Sequence, residues 1–365
     1  MREFINWVGF DEDAKKIVVA VLVGYEERVR ETFTVELNDK GLRQLVRRLK
    51  QLPGETRCVY EAGGSGYEIY RYLRRHEIAC EIAAPSLTPH KPGMRVKTNR
   101  IDAAKLADHY RGGQLTMIHV PDEARESLRD LVRAREDAQQ DLLRQKNRLT
   151  KLLYRRGVRH GDGRRWTQAY WRWLRAVRVG NDHLQAVLDE AITTIEQTAD
   201  RLKRLHRLVL EAAGQPAYAP TVDRLMVFRG VGVLTAITII AELGDLRRFP
   251  AAKKLMAAIG VTPSEFSTGP HQRRFGITKT GNAHLRYLLV EAAWQARHRP
   301  SVRGAILKRR ANQPREIVAI AERCEQRLHR KYVRMVNRGK PSSKAAVAVA
   351  RELLGFIWAV AQLPA

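Results

Sequence analysis

Cysteine is scarce: Cys58, Cys80 and Cys324 are the 3 in 365 residues, scattered and without metal-ligand spacing. That argues against a zinc site or a disulfide framework and fits reduced thiols in a cytoplasm. Long apolar runs are also missing. A membrane-spanning helix needs roughly 20 apolar residues, and the nearest candidate, 345–363, carries Arg351 and Glu352 and reads as an amphipathic helix. The opening MREFINWVGFDED lacks the apolar centre of a signal peptide. Acids are few beside bases: 39 Asp and Glu face 66 Lys and Arg, a net charge of +27 and a pI near 10.5. Such a chain suits a polyanion, most simply nucleic acid, with an anionic membrane surface the weaker alternative. What is present is an ordinary globular share of hydrophobic residues, 44%, in a chain long enough for two or three domains.

Residues 1–118 predict an α/β domain. INWVGFD, KIVVAVLV, RETFTVEL, TRCVYEA and CEIAAP are five strand-like runs, with helices after the third, fourth and fifth and Asn38 as a helix cap. The order fits a ribonuclease-H-like sheet, an antiparallel hairpin set with parallel strands added beside it. Residues 119–215 predict a helical hairpin of coiled-coil type. Pro121 opens a long helix with Leu128, Leu131, Val132, Leu142, Leu149 and Leu153 at helical spacing, and a second long helix begins near Asn181. Between them lies a basic, Gly-containing break with Trp166, Tyr170, Trp171 and Trp173. Those rings either stack on nucleic-acid bases or form a small core, and their spacing favours core.

Residues 216–365 predict a mainly α domain. VDRLMVFRGVGVLTAITIIAELGDL reads as helix, Arg-Gly-Val-Gly turn, helix, a helix-hairpin-helix-like device whose amides can meet a phosphate near Arg229. Residues 296–340 are strongly basic, with Arg297, Arg299, Arg303, Lys308, Arg309, Arg310, Arg327, Arg330, Lys331 and Arg334 read as a phosphate-contacting surface. Between two apolar helices lies VTPSEFSTGPHQRRFGITKTGNAHLR, read as a polar, Gly-rich loop. It offers hydroxyls at Ser267 and Thr268 among Arg273, Arg274, Lys279 and Arg286, a setting suited to phosphate chemistry.

Three acids of the first domain stand at element boundaries: Asp11 at the end of the first strand, Glu61 at the end of the fourth, and Asp102 at the start of a helix after the basic run RVKTNR. Oxygen ligands converging from such places suit Mg²⁺, which bridges phosphate oxygens.

Taken together, VGFDED, VYEAGGSGYEIYRYL and AAPSLTPHKPGMRVKTNRIDAAKLADHY resemble the DEDD domain of a family of bacterial insertion-sequence transposases with a RuvC-like fold. FRGVGVLTAITIIAELGDLRRF and GVTPSEFSTGPHQRRFGITKTGNAHLRYLL resemble that family's C-terminal domain, so the resemblance covers nearly the whole chain. It implies a recombinase that inserts and excises a mobile element. A structured non-coding bridge RNA pairs with donor and target DNA, acids hold Mg²⁺, and a serine attacks the phosphodiester to form a phosphoserine linkage. It also implies a homo-oligomer, dimer to tetramer, with composite sites.

Residue by residue, the resemblance gives Asp11 and Glu61 as the first two acids. The third and fourth family acids fall at Asn99 and Asp102, so a carbonyl oxygen stands where a carboxylate is expected, with Asp13 as a partial substitute. Lys97 lies in the same basic run, as a nucleic-acid contact. The family's serine immediately precedes a glycine, which in register is Thr268; the less hindered primary hydroxyl is Ser267, one residue earlier. Two other readings stay open: a metal-dependent junction nuclease that uses water as nucleophile, and a non-catalytic nucleic-acid-binding protein descended from a transposase.

Overall fold

In the computed structural model the described residues are 4–89, 98–161, 163–268 and 271–364. They form two compact units, Met1–Pro121 and Asp122–Ala365.

The first unit is a sheet dressed with helices. Its strands are β1 (Ile5–Glu12), β2 (Lys16–Val23), β3 (Glu31–Glu36), β4 (Glu55–Glu61) and β5 (Ala79–Ala83). Its helices are α1 (Asp39–Gln51), α2 (Glu68–Arg75) and α3 (Asn99–Arg111). The strand order is β3-β2-β1-β4-β5. β1 is antiparallel to β2, and β2 to β3, while β4 runs parallel to β1 and β5 parallel to β4. This mixed sheet is compatible with a DEDD nuclease-like fold.

Alternation along the strands sorts the side chains between two layers. Val8, Phe10, Ile17, Val19, Cys58 and Tyr60 pack with Leu42, Leu45, Ile69 and Leu73 of α1 and α2. The other face meets α3: Val18 and Ala20 pack on Ala103, and Val59 on Leu106 and Tyr110. Gly9 makes the second layer possible. A Cβ there would stand 2.1 Å from the Ala103 carbonyl oxygen and 2.7 Å from the Ala107 nitrogen, so only glycine lets α3 lie this close to β1.

The second unit is mainly helical. α4 (Glu123–Arg155) and α6 (Asp182–Ala213) are long partners, with α5 (Gln168–Ala176) between them in sequence. They run antiparallel, because Leu128 and Val132 near the start of α4 join the cluster of Val209 and Ala213, while Leu149 and Leu153 join that of Leu188 and Ile192. Tyr170 is buried at the second cluster, with Trp166, Trp171 and Trp173 partly buried around it. These rings are therefore mostly core.

The remaining helices are α7 (Ala219–Leu225), α8 (Val233–Leu243), α9 (Ala252–Ile259), α10 (Ala283–Ala293), α11 (Ala305–Ala311), α12 (Arg315–Asn337) and α13 (Ser342–Ala361). α13, which the sequence marks as amphipathic, buries Ala345, Val349, Leu353, Leu354 and Ile357 against this group. No described helix is long and apolar enough to cross a membrane. Cys58, Cys80 and Cys324 are free and buried, and burial pushes each thiol up.

Two expectations need correction. The stretch 261–286 is not a plain loop: β6 (Pro263–Thr268) and β7 (His271–Ile277) form an antiparallel hairpin. Its strands are polar and two-sided, with Phe266 71% and Phe275 60% exposed, so no buried face announces them in the sequence. The basic segment 296–340 is not uniformly a phosphate-contacting surface either. Arg310 is buried, donating to the Val227 carbonyl and pairing with Glu325, while Arg327 and Lys331 hold Glu352. Internal acids placed on α12 and α13 recruit these cations.

Candidate active site

The acids of the first unit are placed by sheet register and by the direction of α3. Phe10 of β1 stands opposite Tyr60 of β4, so the next positions, Asp11 and Glu61, are neighbours at the carboxyl ends of two parallel strands. Strands lie about 5 Å apart in a sheet. Asp11 follows Gly9 by two residues and Glu61 follows Val59 by two, so both belong to the face that α3 covers.

α3 runs against β1 with its ends reversed. Tyr110, near its last turn, packs edge-on against Trp7, and Ala103 and Ala107 lie over Gly9. The first turn, with Asn99 and Asp102, is therefore carried toward Asp11. Thr98 caps this helix, its hydroxyl accepting from the Ile101 amide.

Asp102 has one engaged oxygen and one orphan. Oδ1 accepts from Lys105 Nζ at 3.2 Å, while Oδ2 is buried with no hydrogen-bond partner among the described residues. A buried carboxylate oxygen is costly to leave unpaired. An oxygen so placed, beside Asn99 and at the sheet end of Asp11 and Glu61, fits the ligand set of a hard divalent cation. Among the described residues no three His, Cys, Asp or Glu side chains are gathered closely enough to hold a metal ion by themselves.

Two neighbouring acids have other duties. Asp13 turns its carboxylate onto the amides of Lys15 and Lys16 at 2.9 and 3.0 Å, closing the β1–β2 turn, and those amide bonds lower its pKa. The compensating role at the metal that its position suggests is therefore not supported; its carboxylate is a turn closure. Glu12 accepts from the Ser65 hydroxyl and, at 3.3 Å, from the Ser65 amide, fastening β1 to the glycine turn after Glu61. An acid beside the Gly-Gly-Ser turn is the one sequence signal for that clasp.

In the second unit the hairpin register sets Ser267 against Gln272 and Thr268 against His271. The side chains of Ser267, Thr268, His271, Gln272 and Arg274 lie outside the described set, as do Gly269 and Lys97 altogether. Arg273 and Lys279 are exposed.

The base of the hairpin is tightly laced. Gly260 and Gly281 both have φ of +70°, and a Cβ on either would come within 2.0 Å of a backbone oxygen, Thr280 or Ala258 respectively. Arg286, expected at nucleic acid, donates to the Ile259 and Thr280 carbonyls at 2.8 and 3.1 Å. Arg229 likewise donates to the Arg299 carbonyl at 2.7 Å and to Glu325 at 3.1 Å. Both guanidiniums hold the fold around the hairpin and the α7–α8 turn. In that turn Gly230, at φ +89°, is pressed against the Ala292 carbonyl of α10, so helix packing is what requires it.

A buried ion cluster beside the hairpin has little trace in the sequence. Glu242 of α8 is almost fully buried and receives Arg133 Nε and Nη2 of α4, both at 2.8 Å, and Asn282 Nδ2 at 2.7 Å, with His284 Nδ1 3.6 Å away. Burial alone would raise its carboxyl, but His284, Arg133 and Asn282 outweigh burial and hold it down at about 2. Asn282 also caps α10, accepting from the Leu285 amide. The hairpin's exit is thereby tied to α4. A single acid in the apolar run TAITIIAEL is the available signal.

Known proteins resemble the chain along its length. Residues 222–306 match the family model described as "Transposase IS116/IS110/IS902 family", and residues 8–156 match a DEDD-type transposase model of IS110 elements. A Sinorhizobium fredii protein named "Putative transposase y4qE" is 37% identical over 357 residues, covering 98% of this chain and 88% of its own. The transposase of insertion element IS1533 from Leptospira borgpetersenii is 29% identical over 337 residues, covering 89% and 95%.

Proposed function

The chain belongs to the IS116/IS110/IS902 transposase family and is a DNA transposase; we propose that it cuts and rejoins DNA through a hydroxyl of the β6–β7 hairpin, assisted by the acids of the first unit. The observation that supports this reading is the Oδ2 of Asp102, buried and without a hydrogen-bond partner among the described residues, at the sheet end that bears Asp11 and Glu61.

In this reading Asp11, Glu61 and Asp102 hold Mg²⁺, with the Asn99 side-chain carbonyl as a neutral fourth ligand. The ion, when bound, neutralises phosphate charge and eases deprotonation of the attacking hydroxyl. Lys105 keeps the Asp102 carboxylate oriented. Ser267 is the favoured nucleophile, as the less hindered primary hydroxyl. Its Oγ attacks phosphorus, the phosphodiester bond to the leaving DNA oxygen breaks, and the proton lost from serine ends on that oxygen. A phosphoserine linkage stores the bond, so return attack by a DNA hydroxyl rejoins strands without ATP. Arg273, Arg274 and Lys279 offset the charge that grows on the phosphate, and Lys97 contacts the DNA backbone.

The partners in this proposal are donor and target DNA and a structured guide RNA, engaged by a homo-oligomer. The charge of +27 supports polyanion binding. Asp102→Asn tests the metal role: it should cut DNA at least about 100-fold more slowly with an unchanged melting temperature. Undiminished cutting by Asp102→Asn, or by wild type in excess chelator, would contradict it.

A further inference from the structure

The free end of the α4–α6 pair carries charge that the catalytic reading does not use. Between residues 142 and 181 there are 12 Lys and Arg against one acid, Asp162. Arg148, Lys151, Arg155, Arg156, Arg164 and Arg165 are exposed, and none has an ion-pair partner among the described residues. Arg144 pairs with Asp141 and Arg175 with Glu196.

A solvated face would account for charge alone. Two further features point to a ligand. Tyr154 is 69% exposed, with the Arg159 guanidinium 5.8 Å from its ring centre, an aromatic platform flanked by a cation. Beneath the charge lies a separate core, in which His160 packs on Tyr170 and Trp173, and Lys146 sits 4.9 Å from the Trp166 ring. That core holds the cationic residues in place, which a merely solvated helix end does not require. At about 1.5 Å per residue, Leu153 lies about 30 Å along α4 from Val132, in the α8-side core. The surface can thus be altered without touching the hairpin base.

We propose that this helix end binds an unpaired nucleic-acid strand, its arginines on the phosphates and Tyr154 stacked on a base. Paired strands offer the phosphates but no free base face, so the ring favours single strands. The proposal rests on the transposase reading only in taking nucleic acid as the partner.

The test uses the full chain with Arg155→Glu, Arg156→Glu and Arg159→Glu combined. Labelled single-stranded RNA, single-stranded DNA and duplex DNA are titrated across a salt series. Single-strand affinity should fall at least about tenfold and the log–log salt slope by about 2, since each lost phosphate contact removes about 0.7. Circular dichroism should keep its helical signal. Tyr154→Ala should weaken single strands and spare duplex, and the arm that loses more, RNA or DNA, identifies the strand. The titrations are run in excess chelator, where no metal-assisted cutting takes place, which separates this claim from the catalytic one. Single-strand binding unchanged in the triple variant, or a loss as large on duplex as on single strands, would overturn the proposal.

Discussion

Asp102 and Asn99 share the first turn of α3, and their chemistry differs by one charge. With Asn99 in the set, the site lacks one of the four carboxylates that its family resemblance leads one to expect. Asn99→Asp should therefore lower the Mg²⁺ concentration giving half-maximal cleavage, read from a metal titration of cutting; no change would mean that residue 99 does not face the ion. Glu242 offers a different test. Its folded pKa of about 2 lies below the ordinary value of 4.5. Its contribution to stability is then complete above pH 4.5 and disappears as pH falls from there toward 2. The shift corresponds to at most about 3 kcal/mol, an upper figure because Arg133 is half exposed. Glu242→Gln should be less stable than wild type at neutral pH, and urea denaturation between about pH 5 and pH 2 should show the gap closing. A constant gap would remove the assigned role of Arg133 and His284.

At the scale of elements, glycine decides the close approaches. Gly9→Ala pushes a methyl into the Ala103 carbonyl, so α3 must move off β1 and carry Asp102 with it. We expect a loss of about 3 kcal/mol, visible as a lower melting temperature, together with lost cleavage. A Gly9→Ala protein of wild-type stability would show that α3 is held otherwise. Gly281→Ala should disturb the hairpin base in the same way. The five strands of the first unit are legible in the sequence because their β-branched runs are long and their turns polar. Asp11, Glu61 and Asp102 are legible because each closes or opens an element. The β6–β7 hairpin is not, because none of its described side chains is buried and its Phe residues are exposed. Arg229, Arg286 and Arg310 read in the sequence as charge alone, which hides their carbonyl partners and the Glu325 that Arg229 and Arg310 share. Asn282 and Glu242 are 40 residues apart, a contact that no local pattern announces.

For the whole molecule, an excess of 27 positive charges predicts nucleic-acid affinity that falls steeply with salt. Raising salt from low to physiological should weaken DNA binding by orders of magnitude while Asp102→Asn follows wild type, since in the proposed mechanism charge governs binding and the acids govern chemistry. The most direct measurement is a denaturing gel of protein incubated with nicked donor DNA and Mg²⁺. The account predicts a covalent protein–DNA band in wild type. That band should be absent in Ser267→Ala, absent in Asp102→Asn and lost on chelation. Cut strands without any such band in wild type would mean that water attacks the phosphodiester, and would contradict it.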